Sequence, residues 1–165
     1  MYRRTFVVVF ICVLFSATLV MAQISAMPPE VTAKIKEMGK SLSPEIIGAT
    51  AKLYVPLHGN VDRSGVKVTK DEKYGPDERH RLDVYVPSEK ASSPMPILVF
   101  VHGGAFVAGN KSTPGSPFFD NIGCYFAKRG VLTIVPTYRL APKHKWPAGT
   151  EDVAGALAWV RKNGE

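Results

Sequence analysis

Pro96-Ile97-Leu98-Val99-Phe100-Val101-His102-Gly103-Gly104-Ala105-Phe106 is the stretch on which the fold turns. An apolar run bounded by proline and glycine reads as a fully buried strand. The chain then turns sharply through two glycines. Lacking a Cβ, they reach φ > 0 and let the backbone N–H approach another atom closely. A buried strand ending in such a turn can aim several N–H groups at one point, as an anion or oxyanion site requires. The same residues also suit a tight strand exit that binds nothing, so the flanking sequence has to decide.

Downstream, residues 108–117 carry Gly, Asn, Ser, Thr and Pro and read as a loop. Phe118 to Arg129 has helical spacing and stops at Gly130, the usual place for a C-terminal glycine. Val131 to Pro136 is a second buried strand. Pro142 and Pro147 bracket a loop. Thr150 then reads as the N-cap of a helix from Glu151 to Lys162, with acids in its first turn and bases in its last, as the helix dipole favours. Its expected buried stripe is Val153, Ala156, Leu157 and Val160, widened by Trp159.

Upstream, Arg81 to Pro87 alternates apolar and polar residues, with Leu82, Val84 and Val86 on one side. Val66 to Lys70 alternates too, and Tyr74 to Asp77 reads as a turn, so the two segments form an antiparallel hairpin. Residues 23–65 read as an N-terminal helical arm. One helix runs from Glu30 to Met38. The next has Ser43 as N-cap and Pro44 at its first position, and extends to about Leu53. The order hairpin, strand, helix, strand, helix argues for an α/β fold, with a parallel sheet covered by helices on both faces. A sheet that stopped at Glu165 would have a bare hydrophobic edge, so the chain is expected to be incomplete.

The 165 residues are 45% hydrophobic and 21% charged, an ordinary globular composition. The first segment stands apart. Met1-Tyr2-Arg3-Arg4 precedes an almost unbroken apolar run from Thr5 to Val20, the layout of a secretory signal peptide with cleavage expected after Ala22. The alternative is an uncleaved anchor, although the run is slightly shorter than a membrane span requires. Cleavage leaves no stable membrane anchor and places the protein in the periplasm or outside the cell. The net charge then falls by two, from +7 to +5. The remaining bases are interleaved with acids, and Lys143-His144-Lys145 is the only compact basic group. This pattern excludes nucleic-acid binding as a function class. No metal-ligand spacing is present and no cofactor is implied. The mature part keeps one cysteine, Cys124, in an apolar helical pattern where it reads as core. Oligomeric state is not legible.

In this order and spacing the residues resemble the α/β-hydrolase fold, in its hormone-sensitive-lipase and carboxylesterase branch. Leu82-Asp83-Val84-Tyr85-Val86-Pro87 is similar to the branch's second strand. Pro96 to Phe106 looks like its oxyanion loop. Thr137-Tyr138-Arg139-Leu140-Ala141-Pro142, with Trp146-Pro147-Ala148 and Asp152, looks like the connection after the next strand. The resemblance implies that residues 66–165 are the N-terminal half of an α/β-hydrolase domain. It also implies hydrolysis of a small-molecule or polysaccharide-linked ester by a nucleophilic serine, a histidine base and an acid. Carried over by position, Gly103, Gly104 and Ala105 form the oxyanion hole, with Gly104 and Ala105 as donors. His102 orients the loop, and Tyr138, Arg139 and Asp152 give structural support, Asp152 pairing with Arg139. Ala105 stands where many members have a third glycine, and Lys143 where a glutamate is frequent.

The rest of the machinery does not appear. The family's serine sits in Gly-x-Ser-x-Gly, and no serine here has glycine at both flanking positions. His58, His80, His102 and His144 all precede the place where that motif would fall, and nucleophile, acid and base are expected beyond Glu165. Two readings follow. One is the N-terminal part of an exported serine esterase, inactive alone. The other is a catalytically inactive relative that only binds an acyl or carboxylate group.

Overall fold

The computed structural model describes residues 27–164, so segment 1–22, expected to be a signal peptide, and Glu165 lie outside the described residues. The chain divides into two compact units between Tyr54 and Val55. The first contains α1 (Pro29–Met38) and most of α2 (Pro44–His58). Pro29 and Pro44 open these helices, where a missing N–H has no intrahelical partner to lose. The Ser43 hydroxyl accepts the Ile46 N–H at 3.4 Å. α2 continues past the expected stop at Leu53, because Tyr54, Val55 and Leu57 extend the apolar pattern. Pro56 removes one intrahelical bond without ending the helix. Only Val31 is buried on α1, and no residue of α2 is.

The second unit is built on β1 (Val66–Lys73), β2 (Arg81–Pro87), β3 (Ile97–Val99), α3 (Asp120–Ala127), β4 (Leu132–Pro136) and α4 (Ala148–Asn163). The sheet order is β1-β2-β4-β3. β1 and β2 form the antiparallel hairpin, with Val66 opposite Pro87. β2 pairs antiparallel with β4, and β4 pairs parallel with β3. The result is a mixed α/β sheet. On one face Val66, Tyr85 and Val135 pack against Cys124 and Ala127 of α3. On the other, Leu82 and Ile134 pack against Val160 of α4. β2 and β4 lie inside the sheet and are buried on both faces, hence Leu82, Asp83 and Tyr85 together in the interior.

Four expectations need correction. The strand expected over 96–101 is three residues long and not fully buried: Ile97 is 41% exposed and Val101 38%. It is the edge strand of the described sheet, so one flank has no neighbour. Thr150 is not an N-cap, because α4 starts two residues earlier at Ala148 and Thr150 lies inside its first turn. α3 starts at Asp120 and not at Phe118, since Phe118 and Phe119 lie in the turn that leads into it. Leu157 faces outward, and the buried side of α4 is Asp152, Ala156 and Val160. Trading an apolar position for an aspartate on a helix face demands a polar partner, and that partner lies at the site.

Candidate functional site

Leaving β3, the chain enters the turn 102–109. Gly104 has φ 123°, Ala105 φ 52° and Phe106 φ 62°. Left-handed geometry at Ala105 and Phe106 costs on the order of 1–2 kcal/mol each, so surrounding bonds must impose it. They do so through the carbonyls. The Tyr138 hydroxyl donates to the His102 carbonyl at 3.1 Å. His102 Nδ1 lies 2.7 Å from the Gly103 carbonyl. The Val107 and Ala108 N–H groups donate to the Gly104 carbonyl at 3.0 Å each, and Ala141 N–H donates to the Phe106 carbonyl at 2.8 Å. Arg79 Nη2 donates to the Gly109 carbonyl at 2.9 Å.

With the carbonyls held from behind, the amide N–H groups are left over. Those of Gly103, Gly104, Ala105 and Phe106 meet no acceptor among the described residues, and all four residues are exposed. Successive N–H groups in a left-handed turn make a concavity suited to an anion. Gly104 is required here on two counts. A Cβ would lie 2.0 Å from the Ala108 carbonyl oxygen, and the φ is one that side chains disfavour. Gly109 likewise leaves room for the His102 ring, which a Cβ there would meet at 2.4 Å.

His102 is 3% exposed and stacks on Tyr138 at 4.4 Å between ring centroids. A carbonyl can only accept, so the Nδ1 contact puts the ring proton on Nδ1. Nε2 is then a buried lone pair with no partner among the described residues. Burial pushes the imidazole below its ordinary range, against the opposing pull of the Gly103 carbonyl. A ring kept neutral, with its proton tied to the neighbouring carbonyl, has the properties of a packing element.

Asp152 is the buried aspartate of α4. Arg139 donates to it from its backbone N–H at 2.7 Å, from Nε at 2.9 and 3.0 Å, and from Nη2 at 2.7 Å. His80 Nε2 sits 3.0 Å from Oδ1 without hydrogen-bond alignment, a close contact and not a directed bond. Burial alone would raise this carboxyl, but the Arg139 bonds outweigh it and hold it below the usual range. The sequence therefore brings His102, the glycine turn and Tyr138 together, and separately joins Arg139 to Asp152. Lys143 is on the surface, 3.9 Å from Glu78, and His144 is 4.0 Å from Asp77.

Sequence reasoning read the hairpin turn between β1 and β2 but missed what two of its residues reach. Arg79 and His80 project from it, one to the glycine turn and one to Asp152. It also missed a cluster on the α3 face. Asp83, fully buried, accepts from Lys70 at 3.0 Å, from Lys111 at 2.7 Å and from the Asp71 N–H at 3.0 Å. A register shift between Thr69 and Glu72 leaves Asp71 out of the ladder, with φ 60°, and Asp83 takes up the N–H freed by that bulge. Asp120 binds Lys70, Tyr85 and Arg63. An aspartate in the middle of an apolar strand was the available signal.

The comparisons with known proteins agree with this architecture. Residues 82–165 match the family model described as BD-FAE. Esterase LipC of Mycobacterium tuberculosis is 37% identical over 90 residues, covering 54% of this chain and 21% of that protein. Tuliposide A-converting enzyme b1 of Tulipa gesneriana is 32% identical over 148 residues, covering 82% of this chain and 37% of that protein. Among solved structures, esterase B from Lactobacillus rhamnosis superposes with TM-score 0.58 at 20% identity, over 82% of this chain and 39% of that one. A bacterial heroin esterase gives 0.56 at 23%, over 82% and 43%. The chain thus spans between about a fifth and two fifths of the length of these relatives. The matched model covers half of the chain, and the chain belongs to the BD-FAE family of α/β-hydrolase esterases.

Proposed function

From that membership, we propose that this chain supplies the oxyanion-binding part of an exported serine hydrolase acting on carboxylic esters. The observation that carries the reading is the row of unpaired N–H groups at Gly103, Gly104 and Ala105, fixed by bonds to the carbonyls around them. When a serine oxygen adds to an ester carbon, the carbonyl oxygen gains negative charge. Donors already aimed at that oxygen stabilise it without reorganising. His102 sets the turn through its Nδ1 proton and its stack on Tyr138. Arg139 and Asp152 fix the connection that supplies Tyr138. The serine, its base and the acid come from outside the described residues. The substrate is a small-molecule or polysaccharide-linked ester, and export rests on the apolar segment before Ala22.

The second reading is an acyl- or carboxylate-binding protein without catalysis, which would use the same row of N–H groups. Reading the gene past the Glu165 codon and assaying its product with p-nitrophenyl acetate separates the two. For the esterase, the motif follows, and Gly104→Ala, whose Cβ would push the turn off the Ala108 carbonyl and re-aim its N–H groups, lowers turnover on the order of 10²–10³-fold, as loss of a donor would. A product with neither motif nor turnover sinks the esterase reading.

A further inference from the structure

We propose that Arg79 is a positioning residue that sets the conformation of the glycine turn from the far side of the sheet hairpin. The proposal rests on the oxyanion reading of that turn. Arg79 lies in the β1–β2 connection, about thirty residues from the turn in sequence, and bonds two carbonyls from two different segments. Nε donates to the Tyr138 carbonyl at 2.6 Å and Nη2 to the Gly109 carbonyl at 2.9 Å. Tyr138 is the residue whose hydroxyl holds the His102 carbonyl and whose ring carries the His102 stack. Gly109 is the residue packed against His102. The one guanidinium therefore fastens both ends of the turn: its entry through Tyr138, its exit directly.

The backbone of Arg79 is itself fixed. Its N–H donates to Asp77 Oδ1 at 2.9 Å, and its carbonyl accepts the Thr137 hydroxyl. A planar, permanently charged fork on an immobilised backbone holds two carbonyls at a set separation, which a lysine ammonium on a flexible stem cannot do. The bond to Gly109 has a second effect. It places a cationic donor behind the turn, where a full positive charge adds to the field that the free N–H groups present to an incoming anion.

Amide hydrogen exchange of the chain tests this. The reporters are the Val107 and Ala108 N–H groups, which close the turn on Gly104, and the Ala141 N–H, bonded to Phe106. Arg79→Gln should speed exchange at these three about tenfold or more, since both bonds from the charged donor are lost. The amides of β2 and β4 should keep their protection. Arg79→Lys should restore no more than part of it. Unchanged exchange at the three reporters overturns the proposal. So does an acceleration shared equally by β2 and β4, or full restoration by lysine. Titration of the unaltered chain with phenylphosphonate, followed at the Gly104 and Ala105 amides, tests the oxyanion reading separately. No response there discards that reading, while the exchange pattern still decides the role of Arg79.

Discussion

The glycine turn and the cluster around Asp83 are both dense in hydrogen-bonding groups, yet they are opposites. In the cluster each buried charge has its partners: Asp83 has two lysines and an N–H, and Asp120 has Lys70, Tyr85 and Arg63. In the turn the carbonyls of His102, Gly103, Gly104, Phe106 and Gly109 are bonded, while four consecutive N–H groups on exposed residues meet no acceptor among the described residues. A region with all its capacity satisfied internally can only hold the fold together. A region with donors left over, on a strained backbone, can act on something that arrives. Buried polarity alone does not mark a site; the leftover capacity does.

The largest effect should come from breaking the satisfied region. Asp83→Ala leaves Lys70 and Lys111 facing an apolar hole, with Asp71 and Asp120 as partial compensation. Removing one member of a buried ion pair typically costs about 3–5 kcal/mol. Urea unfolding, followed by the half-buried Trp159, should show a loss of about that size. A loss under about 1 kcal/mol would mean the lysines relax to solvent and the cluster holds little together.

Acid should weaken the same region next. Burial pushes the Asp120 carboxyl up, but its bonds to Lys70, Tyr85 and Arg63 win and bring it down to about 2. A carboxyl depressed in the folded state stabilises fully above its unfolded value, near 3.8, and loses that contribution as pH falls toward the folded value. The window is thus about pH 4 to pH 2, and the contribution about 2 kcal/mol. Asp152, also held low, acts in the same direction. In Asp120→Asn the acid-dependent loss should shrink; an unaltered profile would assign it elsewhere.

How much of this was legible in the sequence divides along the same line. The hairpin and the succession of strands and helices along the chain were readable because periodicity and turn residues are local. The glycine turn was readable because two glycines after a strand are a local signal too. β3 was misjudged because an apolar run does not say how many strands flank it, and among the described residues only β4 pairs with it. Arg79 and Lys111 were invisible for a related reason. A charged residue in a turn or a strand reads as solvated until the fold shows which distant carbonyl or carboxylate it meets. Asp152 was legible only through resemblance, since nothing local shows that Arg139 would reach it.

His102→Phe should have a smaller effect and sharpen the contrast at the turn. It keeps a ring to stack on Tyr138 and removes only the Nδ1 proton that holds the Gly103 carbonyl. The net contribution of such a bond is about 0.5–1.5 kcal/mol. The loss should be felt locally, as faster exchange at Val107 and Ala108, with urea stability of the sheet lowered by no more than that amount. A larger global loss would make the His102 ring part of the core and not of the turn.

The smallest effect is the most pointed. Ala105 holds φ 52° with its side chain exposed. Ala105→Gly removes a left-handed penalty of about 1–2 kcal/mol and introduces a glycine entropy cost of about 0.5–1 kcal/mol. The net change should be a gain of between zero and about 1.5 kcal/mol. If the turn exists to keep its N–H groups aimed, that gain comes with a looser backbone, and anion affinity at Gly104 should fall even as stability rises. Opposite signs for the two measurements would mean that alanine here holds strain in exchange for a fixed direction. If both rose together, the strain would serve no purpose in binding, and the contrast between a satisfied cluster and a poised turn would fail at its most exposed residue.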